Sequence, residues 1–599
     1  MKKIVTCLFL SFFVLSAVAQ QNKTVPDSRL ADLDVLLNKV LKDQKVAGFA
    51  VAVVEGDKVI YSKGFGYRDV EHKKPVTPNT LFAIGSSSKA FTSALLGQLE
   101  KEGKLSLDGK ATTYLPQLKF FNDNMNNQIT IRDMMCHRTG LSRYDYSWYL
   151  FNTPNRDSII QRVKYMEPNA GLREKWQYNN YMFLAQGMIA EKLTGKTWEQ
   201  NIKEKFFTPL EMTRSNTSIY EMQKDADASL PYTLEKDSII KKVDYYDISG
   251  MGPAGSINSS VNEMANWLQV WMTGGYYHKK EILPPSYVGQ AVSAQMVMEG
   301  ALPGEFKDIY SASYGFGWMI SSYRGHYLVE HGGNIDGFSA NAAFFPVDKI
   351  GIVVLTNQNG SAVPGLVRNS IADRIFKLAN IDWNGRQNEK KEEALKNKKM
   401  EQSKDLVQVL NTKPSHPAKD YVGFYHNPIA GTIDVSQKGD SLFAVLGKNR
   451  IFLKHYHYDV FELRDIDKKG VIDTAINTFR ISFNSGIDGK MESMSVPLDG
   501  KNVAFAFLPK KVVLTKEMLA RYTGDYDLAK TAVKVYLKDK ILFVSIAGQP
   551  EFETTFLEEN SFELKNLKGF SVKFDMTGNK AESLTFIQPN GNFKATRKK

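Results

Sequence analysis

Ser86 and Lys89 form a Ser-x-x-Lys pair, the arrangement in this chain best suited to nucleophilic chemistry. On a helix, side chains three residues apart lie on the same face, so the Lys89 amine could take the proton of the Ser86 hydroxyl. A serine activated in this way attacks a carbonyl group without a histidine. The pair alone is a weak signal, because serine is a common helix N-cap and the chain contains many lysines.

The residues that follow predict the helix that the pair requires. Apolar side chains recur at three- and four-residue spacing between Ala90 and Leu99, and Gly103 follows where a left-handed cap is expected. We therefore expect Ser86 in the first helical turn. There, free backbone N–H groups and the positive end of the helix dipole stabilise a developing oxyanion.

The segment Tyr178–Asn180 immediately precedes a helix predicted over 181–193. Because residues i and i+2 of an extended stretch point the same way, the Tyr178 phenol and the Asn180 amide can face one cavity. A phenol beside a lysine ammonium has a lowered pKa, so Tyr178 is a candidate proton carrier. The alternative is a packed ring and a helix cap.

A His-Gly-Gly-Asn segment, residues 331–334, ends a strand predicted over 327–330. Its glycines would let a substrate backbone lie close against the strand. The alternative is a simple turn. Each segment is a weak signal when it is taken singly.

In their order and separation, the three segments resemble the motifs of the serine β-lactamase and penicillin-binding protein superfamily. The resemblance is to its class C-like branch, which includes class C β-lactamases, DD-peptidases and related esterases, and it covers about residues 28–380. The family's Ser-x-x-Lys, Tyr-x-Asn and Lys- or His-x-Gly motifs are matched by Ser86-x-x-Lys89, Tyr178-x-Asn180 and His331-x-Gly333. Three further segments resemble secondary sequence motifs of the family, which we call family marks: MMCHRTGL at 134–141, PAGS at 253–256 and YGFGW at 314–318.

The resemblance implies that Ser86 attacks a carbonyl group and forms an acyl-enzyme. Lys89 and Tyr178 would share the base and acid roles, and which of them takes the first proton stays open. The backbone N–H groups of Ser86 and Asn334 would form the oxyanion hole.

The same resemblance gives the substrate-binding residues. Asn180 would hold the substrate amide, and His331 would line the opposite wall on the strand that carries Gly333. No metal and no other cofactor is expected.

The third motif departs from the Lys-Thr-Gly that is common in the family. His331 offers a mostly neutral imidazole, and Gly332 offers no hydroxyl to anchor a substrate carboxylate. The departure weakens the case for an efficient β-lactamase. It leaves peptidase, amidase and esterase activities open.

The sequence from Val46 to about Asn380 favours an α+β fold. Strands at both ends with helices between them predict an antiparallel sheet whose first and last strands meet. The resemblance implies the β-lactamase/transpeptidase-like fold with a helical subdomain. The predicted strands cover 48–54, 59–65, 327–330, 340–345 and 350–356, and the predicted helices follow Ser86 and cover 131–136, 181–193, 261–272 and 364–378.

Two C-terminal segments resemble each other. YVGFY at 421–425 returns as YTGDY at 522–526, and FEL at 461–463 returns at 562–564. This tandem repeat, with alternating apolar residues and glycine turns, predicts two small all-β, barrel-like domains. The predicted organisation is a signal peptide (1–19), a hydrolase domain (20–384), a charged helical linker (385–417) and two β domains (418–511 and 512–599).

The first residues predict export. Lys2 and Lys3 precede an apolar run that ends at Leu15 and is shorter than a membrane span, and Ala-Val-Ala at 17–19 has the form of a cleavage site. We expect a periplasmic or extracellular protein without a transmembrane segment after cleavage. Cys136 would then be the single remaining cysteine, which excludes an intramolecular disulfide and is expected to be a buried apolar residue.

The net charge of +12 is dispersed along the chain, and no nucleic-acid-binding module is visible. We therefore expect no nucleic-acid partner. The leading hypothesis is an exported serine hydrolase that acts through acyl-Ser86 on an amide or ester, with a D-amino-acid-containing cell-wall peptide as the favoured substrate. The alternatives are a carboxylesterase acting on small esters and a penicillin-binding sensor with slow turnover. The oligomeric state and the role of the β domains stay open.

Overall fold

The computed structural model describes residues 27–299, 302–402, 408–447, 449–467, 469–473, 479–508, 514–558, 560–565, 567 and 569–598. The predicted signal peptide, residues 1–19, lies outside the described residues. The described residues fall into two compact units, one formed by residues up to 421 together with 425–507, and the other by 422–424 with the residues from 508 onward. None of the described helices is long and apolar enough to cross a membrane.

A nine-stranded antiparallel sheet is the frame of the first domain. The strands of this domain are β1 (Gly48–Glu55), β2 (Lys58–Asp69), β3 (Lys74–Pro75), β4 (Phe82–Ala83), β5 (Tyr232–Glu235), β6 (Ile239–Lys242), β7 (Asn258–Ser259), β8 (Tyr276–Tyr277), β9 (Lys280–Glu281), β10 (Met296–Glu299), β11 (Tyr310–Tyr314), β12 (Met319–Tyr323), β13 (His326–Ile335), β14 (Phe338–Phe345) and β15 (Ile350–Thr356). The order across the sheet is β10-β11-β12-β13-β14-β15-β1-β2-β3. The first strand therefore pairs with the last, with Phe49 opposite Thr356.

Helices cover both faces of this sheet. They are α1 (Leu33–Asp43), α2 (Lys89–Lys101), α3 (Ala111–Tyr114), α4 (Asp123–Gln128), α5 (Ile131–Met135), α6 (Asp145–Tyr149), α7 (Arg156–Ile160), α8 (Asn180–Thr194), α9 (Trp198–Ile202), α10 (Ile219–Met222), α11 (Gly252–Gly255), α12 (Val261–Met272), α13 (Pro285–Ala291), α14 (Val363–Ile375) and α15 (Trp383–Gln402). In β1, Ala50 and Ala52 join the apolar core that contains α2, α8 and α12, whereas Phe49 and Val51 join the core that contains α1 and α14. Because both faces are buried, β1 is a continuous apolar run rather than an alternating one.

The predicted α+β class and the meeting of the first and last strands are confirmed, but several predicted boundaries are wrong, among them the end of β2, which continues to Asp69 rather than ending at Phe65. Strand β13 does not end at Glu330, because its pairing with β14 continues through Gly332 to Ile335. Helix α14 ends at Ile375 rather than at 378, because Lys377 adopts the left-handed conformation and the Leu378 N–H returns to the Asp373 carbonyl.

Helix α15 contains the first part of the predicted linker, 385–417, and begins two residues before it, at Trp383. In the first turn of α15, the Trp383 indole N–H donates to Asp373 at 2.8 Å, and the Asn384 side chain donates to Asp43 at 2.6 Å. Residues 403–407, within the predicted linker, lie outside the described residues.

Two closed eight-stranded barrels follow, as the repeat predicts. The first is formed by β16 (Gly423–Asn427), β17 (Gly431–Lys438), β18 (Ser441–Leu446), β19 (Asn449–His457), β20 (Val460–Asp465), β21 (Arg480–Ser485), β22 (Met491–Leu498) and β23 (Lys501–Leu508). A short helix, α16 (Lys516–Ala520), precedes the second, which is formed by β24 (Gly524–Leu528), β25 (Thr531–Lys538), β26 (Ile541–Ile546), β27 (Phe552–Glu558), β28 (Ser561–Leu564), β29 (Ser571–Thr577), β30 (Lys580–Gln588) and β31 (Gly591–Arg597).

The repeated tyrosines have the same structural role in both barrels. The buried Tyr425 hydroxyl donates to the Tyr421 carbonyl oxygen at 2.9 Å, and the buried Tyr526 hydroxyl donates to the Tyr522 carbonyl oxygen at 2.8 Å. Each bond ties the first strand of its barrel to the chain that enters it.

Removing either hydroxyl should loosen its own barrel. Because Tyr425→Phe and Tyr526→Phe each leave a buried carbonyl without this donor, we expect each to destabilise its barrel by about 1–2 kcal/mol. Hydrogen exchange of the barrel strands, followed by mass spectrometry, measures this change strand by strand. Tyr458→Phe, at an exposed tyrosine of the first barrel, is the control. Equal protection in all three variants would contradict the assigned role.

Candidate active site

Ser86 lies in a 3₁₀ turn, Gly85–Ser88, that leads directly into α2. Gly85 has a φ of +50°, and a Cβ at this position would lie 2.8 Å from the Asn334 backbone nitrogen, so the approach of the two chains requires glycine. The Ser88 hydroxyl donates to the Gly85 carbonyl at 2.7 Å and stabilises the turn. Ser86 is partly exposed, whereas the other residues of the turn are buried.

Lys89 is fully buried at the start of α2, and its amine lies next to Ser86. The Lys89 Nζ is 3.0 Å from the Ser86 Oγ and donates to the Ala254 carbonyl oxygen at 2.7 Å. The ring centroids of Tyr178 and Phe183 lie 4.9 Å and 5.4 Å from this nitrogen. The predicted pair is therefore brought together inside an apolar pocket.

Burial lowers the pKa of Lys89 well below its usual value. The negative charge of Asp145 opposes this shift, and the positive charge of Arg143 adds to it. The pocket thus favours the neutral amine, which is the form able to accept a proton from Ser86.

Tyr178 is buried beside Ser86 and Lys89, with its ring centroid 4.9 Å from the Lys89 Nζ. The prediction of a lowered Tyr178 pKa is wrong, because burial raises this pKa and the Ser86 side chain only partly opposes the rise. That prediction assumed a neighbouring lysine ammonium, whereas the pocket favours neutral Lys89. Tyr178 is therefore a neutral phenol that can donate a proton.

Asn180 is the first residue of α8, and a charged pair fixes its side chain. The Asn180 Nδ2 donates to the Asp145 Oδ1 at 2.8 Å, while the Arg143 Nε donates to the Asp145 Oδ2 at 2.6 Å. The Arg143 guanidinium lies 4.7 Å from the centroid of the Tyr178 ring. Arg143 and Asp145 thus connect the two polar residues of the second motif.

The third motif lies within β13, beside the turn that carries Ser86. Strand β12 pairs only with the first half of β13, so the second half has an edge next to the Gly85–Ser88 turn. A Cβ on Gly333 would lie 1.8 Å from the Ile84 carbonyl oxygen and 3.3 Å from the Ser86 nitrogen. The backbone of Ser86 and that of Asn334 therefore lie next to each other.

His331 is buried within β13, with about 1% of its surface exposed. Its Nδ1 lies 2.6 Å from the Gly332 carbonyl oxygen, so this nitrogen carries the proton, and its Nε2 accepts from the Tyr314 hydroxyl at 2.9 Å. Burial lowers the pKa of His331 to about 4. The imidazole is therefore neutral at pH 7, and the third motif supplies no cation.

His137 is a positioning residue that the sequence identified only within a longer family mark. Its Nδ1 accepts the Asn179 N–H at 3.1 Å, its carbonyl accepts the Gln177 N–H at 2.8 Å, and its ring lies 4.3 Å from that of Tyr178. These contacts fix the second motif from both sides. The neighbouring Cys136 is buried, and burial raises the pKa of its thiol to about 12, as expected for an unreactive cysteine.

The other two family marks also contact the Ser-x-x-Lys segment or its neighbours. Ala254, in the PAGS segment, accepts the Lys89 hydrogen bond. A Cβ on Gly317, in the YGFGW segment, would lie 3.1 Å from the Ala90 Cα, so this glycine allows close packing on α2. Arg143 and Asp145 belong to none of these motifs, and no sequence pattern pointed to them.

The arrangement can support acyl transfer to a serine. It combines a partly exposed hydroxyl, a buried amine with a lowered pKa at 3.0 Å from it, a neutral phenol and an amide group. Within the described ranges, no group of three or more His, Cys, Asp or Glu side chains could hold a metal ion.

Comparisons of the sequence with known proteins identify the family models and relatives that this chain matches. The family model described as Beta-lactamase matches residues 33–374, and the model of a domain of unknown function, DUF3471, matches residues 407–507. The chain is 28% identical over 340 residues to the Unguisins hydrolase ungD′ of Aspergillus campestris (strain IBT 28561), and 25% identical over 341 residues to Protein flp of Staphylococcus aureus (strain MW2). These matches cover 55% and 56% of this chain, and 61% and 65% of the two relatives, which is less than two thirds of either.

A structural comparison supports the fold. The octameric penicillin-binding protein homologue from Pyrococcus abyssi has a TM-score of 0.54 and 19% identity, with 87% of this chain and 98% of that chain covered. The β-lactamase/transpeptidase-like fold expected from the sequence is thereby confirmed.

The contact at Gly333 yields a paired prediction. Because a Cβ on Gly333 would press on the Ile84 carbonyl, we expect Gly333→Ala to displace the strand and slow acylation of Ser86 by about 100-fold. A Cβ on Gly332 has 3.7 Å to its nearest atom, so Gly332→Ala should label at the normal rate. Labelling with a fluorescent fluorophosphonate measures both rates. Equal rates in the two variants would disprove the proposed contact.

The charges around Lys89 predict opposite pH shifts. If acylation requires the neutral Lys89 amine, its rate falls in acid as that amine is protonated. Asp145→Asn removes a charge that raises the Lys89 pKa, so the acid limb of the curve of acylation rate against pH should move to lower pH. Arg143→Gln removes a charge that lowers this pKa, so the limb should move to higher pH. Shifts in the same direction would exclude Lys89 as the group responsible.

Proposed function

This chain belongs to the Beta-lactamase family, and on that premise we propose that it is an exported serine hydrolase that forms an acyl-enzyme at Ser86. The observation that carries the proposal is the position of the Lys89 amine. Its Nζ lies 3.0 Å from the Ser86 Oγ, in a pocket whose burial favours the neutral form of the amine. A buried lysine with a lowered pKa is a suitable general base for a serine hydroxyl.

Acylation begins when Ser86 attacks the substrate carbonyl and Lys89 accepts the hydroxyl proton. The negative oxygen that forms is stabilised by the backbone N–H groups of Ser86 and Asn334. Tyr178, a neutral phenol beside Ser86 and Lys89, then donates a proton to the leaving group and recovers one from Lys89. Water releases the acyl group by the reverse sequence of proton transfers.

Substrate recognition is assigned to the residues around this centre. Asn180 holds the amide of the acyl group, with its own orientation fixed by Asp145. His331 and Gly333 shape the strand on the opposite side, where a substrate backbone lies along β13. We propose an amide substrate, with a D-amino-acid-containing peptide as the first class to test.

A carboxylesterase is the second candidate, and His331 favours it. The imidazole is neutral and buried, and Gly332 has no hydroxyl, so the third motif offers little to bind a substrate carboxylate. Small esters need no such anchor.

Covalent labelling tests the proposal. The wild-type protein should react with a fluorescent fluorophosphonate, and Ser86→Ala should not. Lys89→Met should remain folded and slow labelling by at least about 100-fold, because the general base is lost. Lys101→Met, at the exposed end of the same helix, is the matched control and should label normally. Normal labelling of Ser86→Ala or Lys89→Met would disprove the mechanism.

Turnover distinguishes the candidate functions. Rapid release of a fluorescent penicillin, together with hydrolysis of D-alanyl peptides, is expected for a peptidase or β-lactamase. Activity on p-nitrophenyl acetate without penicillin labelling would favour the esterase, and a persistent penicillin label would favour a sensor. Export predicts a mature chain that begins at Gln20, which N-terminal sequencing of secreted protein tests.

A further inference from the structure

One short segment of the first domain, Ser142–Phe151, contacts both the active site and the first barrel. On its active-site side, Asp145 accepts the Asn180 side chain at 2.8 Å, and the Ser142 carbonyl accepts the Asn179 side chain at 2.6 Å. We call Ser142–Phe151 the shared segment.

The first barrel packs against the shared segment through backbone and ring contacts. A Cβ on Gly447, in the turn between β18 and β19, would lie 1.9 Å from the Leu150 carbonyl oxygen. The rings of Phe151 and Phe505 are 6.1 Å apart. A glycine at such a close approach and an aromatic pair indicate a specific interface.

The turn between β22 and β23 reaches the residues next to the active site. Asp499 and Gly500 form a tight two-residue turn, with φ values of 49° and 72°. Burial raises the pKa of the Asp499 carboxyl, the negative charge of Asp145 adds to the rise, and the positive charge of Arg143 opposes it. The turn therefore lies beside Arg143 and Asp145, of which Asp145 orients Asn180 and Arg143 lies against the Tyr178 ring.

A cavity of about 380 Å³ lies between this turn and the shared segment. Its volume is within the range of small-molecule sites. Tyr146, Leu498 and Val503 give it apolar walls, while Arg143, Asn169 and Lys501 provide hydrogen-bond donors. Arg143 lines the cavity and also lies against the Tyr178 ring, so the cavity adjoins the catalytic centre.

We propose that this cavity is a second substrate subsite, completed by the first barrel, which binds the acyl arm of a peptide beyond the amide held by Asn180. The inference rests on the proposed acyl-enzyme function. The donors suit the carbonyl and carboxylate oxygens of a peptide, and the walls suit an apolar side chain. On this proposal an acetyl group is too short to use the cavity, whereas an acyl peptide of two or three residues, at about 3.3–3.6 Å per residue, extends toward it.

A substrate series of increasing length tests the proposal on the full chain. The probes are p-nitrophenyl acetate and the p-nitrophenyl esters of acetyl-Gly, acetyl-Leu-Gly and acetyl-Glu-Leu-Gly. For the wild type, kcat/KM should rise at least about tenfold along the series, because binding energy from remote groups is used at the reacting centre.

Two cavity variants should reduce this rise. Val503→Trp fills the cavity, and Lys501→Ser removes a donor. Each should reduce the ratio of kcat/KM between the longest and the shortest ester by about fivefold. Lys490→Ser, at an exposed lysine in another turn of the same barrel, is the control and should retain the wild-type ratio. Hydrogen exchange of the barrel strands verifies that all variants are folded.

The possible outcomes separate this inference from the proposed function. If fluorophosphonate does not label Ser86, the proposed function is wrong. If Ser86 is labelled but kcat/KM is independent of ester length, or the cavity variants keep the wild-type ratio, the subsite is disproved while the acyl-enzyme stands.

Discussion

Burial of the Lys89 amine is the constraint on which the rest of the site depends. An uncompensated buried charge costs several kcal/mol, so the pocket favours the neutral amine. The Ala254 carbonyl satisfies one N–H, and Ser86 lies within hydrogen-bond distance of the same nitrogen. Admitting water to Lys89 would weaken the desolvation that lowers its pKa and would so favour the ammonium, which cannot act as a base. Close packing by Phe183 and Gly317 is therefore part of the chemistry as well as of the fold.

The features that the sequence predicted well depend on short-range patterns. Helix α12 has the predicted bounds, Val261–Met272, because its apolar spacing begins directly after the Ser260 cap. Strands β1 and β15 were identified because buried strands are continuous apolar runs. The Ser86 and Lys89 pair was identified from its three-residue spacing, which brings the side chains together even though Ser86 lies in the 3₁₀ turn before α2 rather than in the first turn of that helix. The resemblance between the two C-terminal segments likewise predicted the two barrels.

The features that the sequence missed depend on neighbours distant in the chain. The direction of the Tyr178 pKa shift follows from burial against His137 and other distant residues, so spacing could not supply it. Arg143 and Asp145 lie in a segment without a motif, and their importance appears only when Asn180 is folded against them. The place of the proposed oxyanion groups depends on how closely β13 approaches the Ser86 turn, which a strand prediction ending at 330 did not indicate.

Comparison of the two barrels separates residues that fold a barrel from residues specific to the first one. Both barrels keep the tyrosine pair whose hydroxyl bonds to a carbonyl four residues earlier. Their last two strands are joined differently: Asp499-Gly500 forms the turn in the first barrel, and Pro589-Asn590 forms the corresponding turn in the second. A barrel needs some tight turn at this position, but no fold requirement selects an aspartate whose carboxyl lies beside Asp145 and Arg143. The charge at this turn is therefore better explained by the active-site segment that it contacts than by the stability of the barrel.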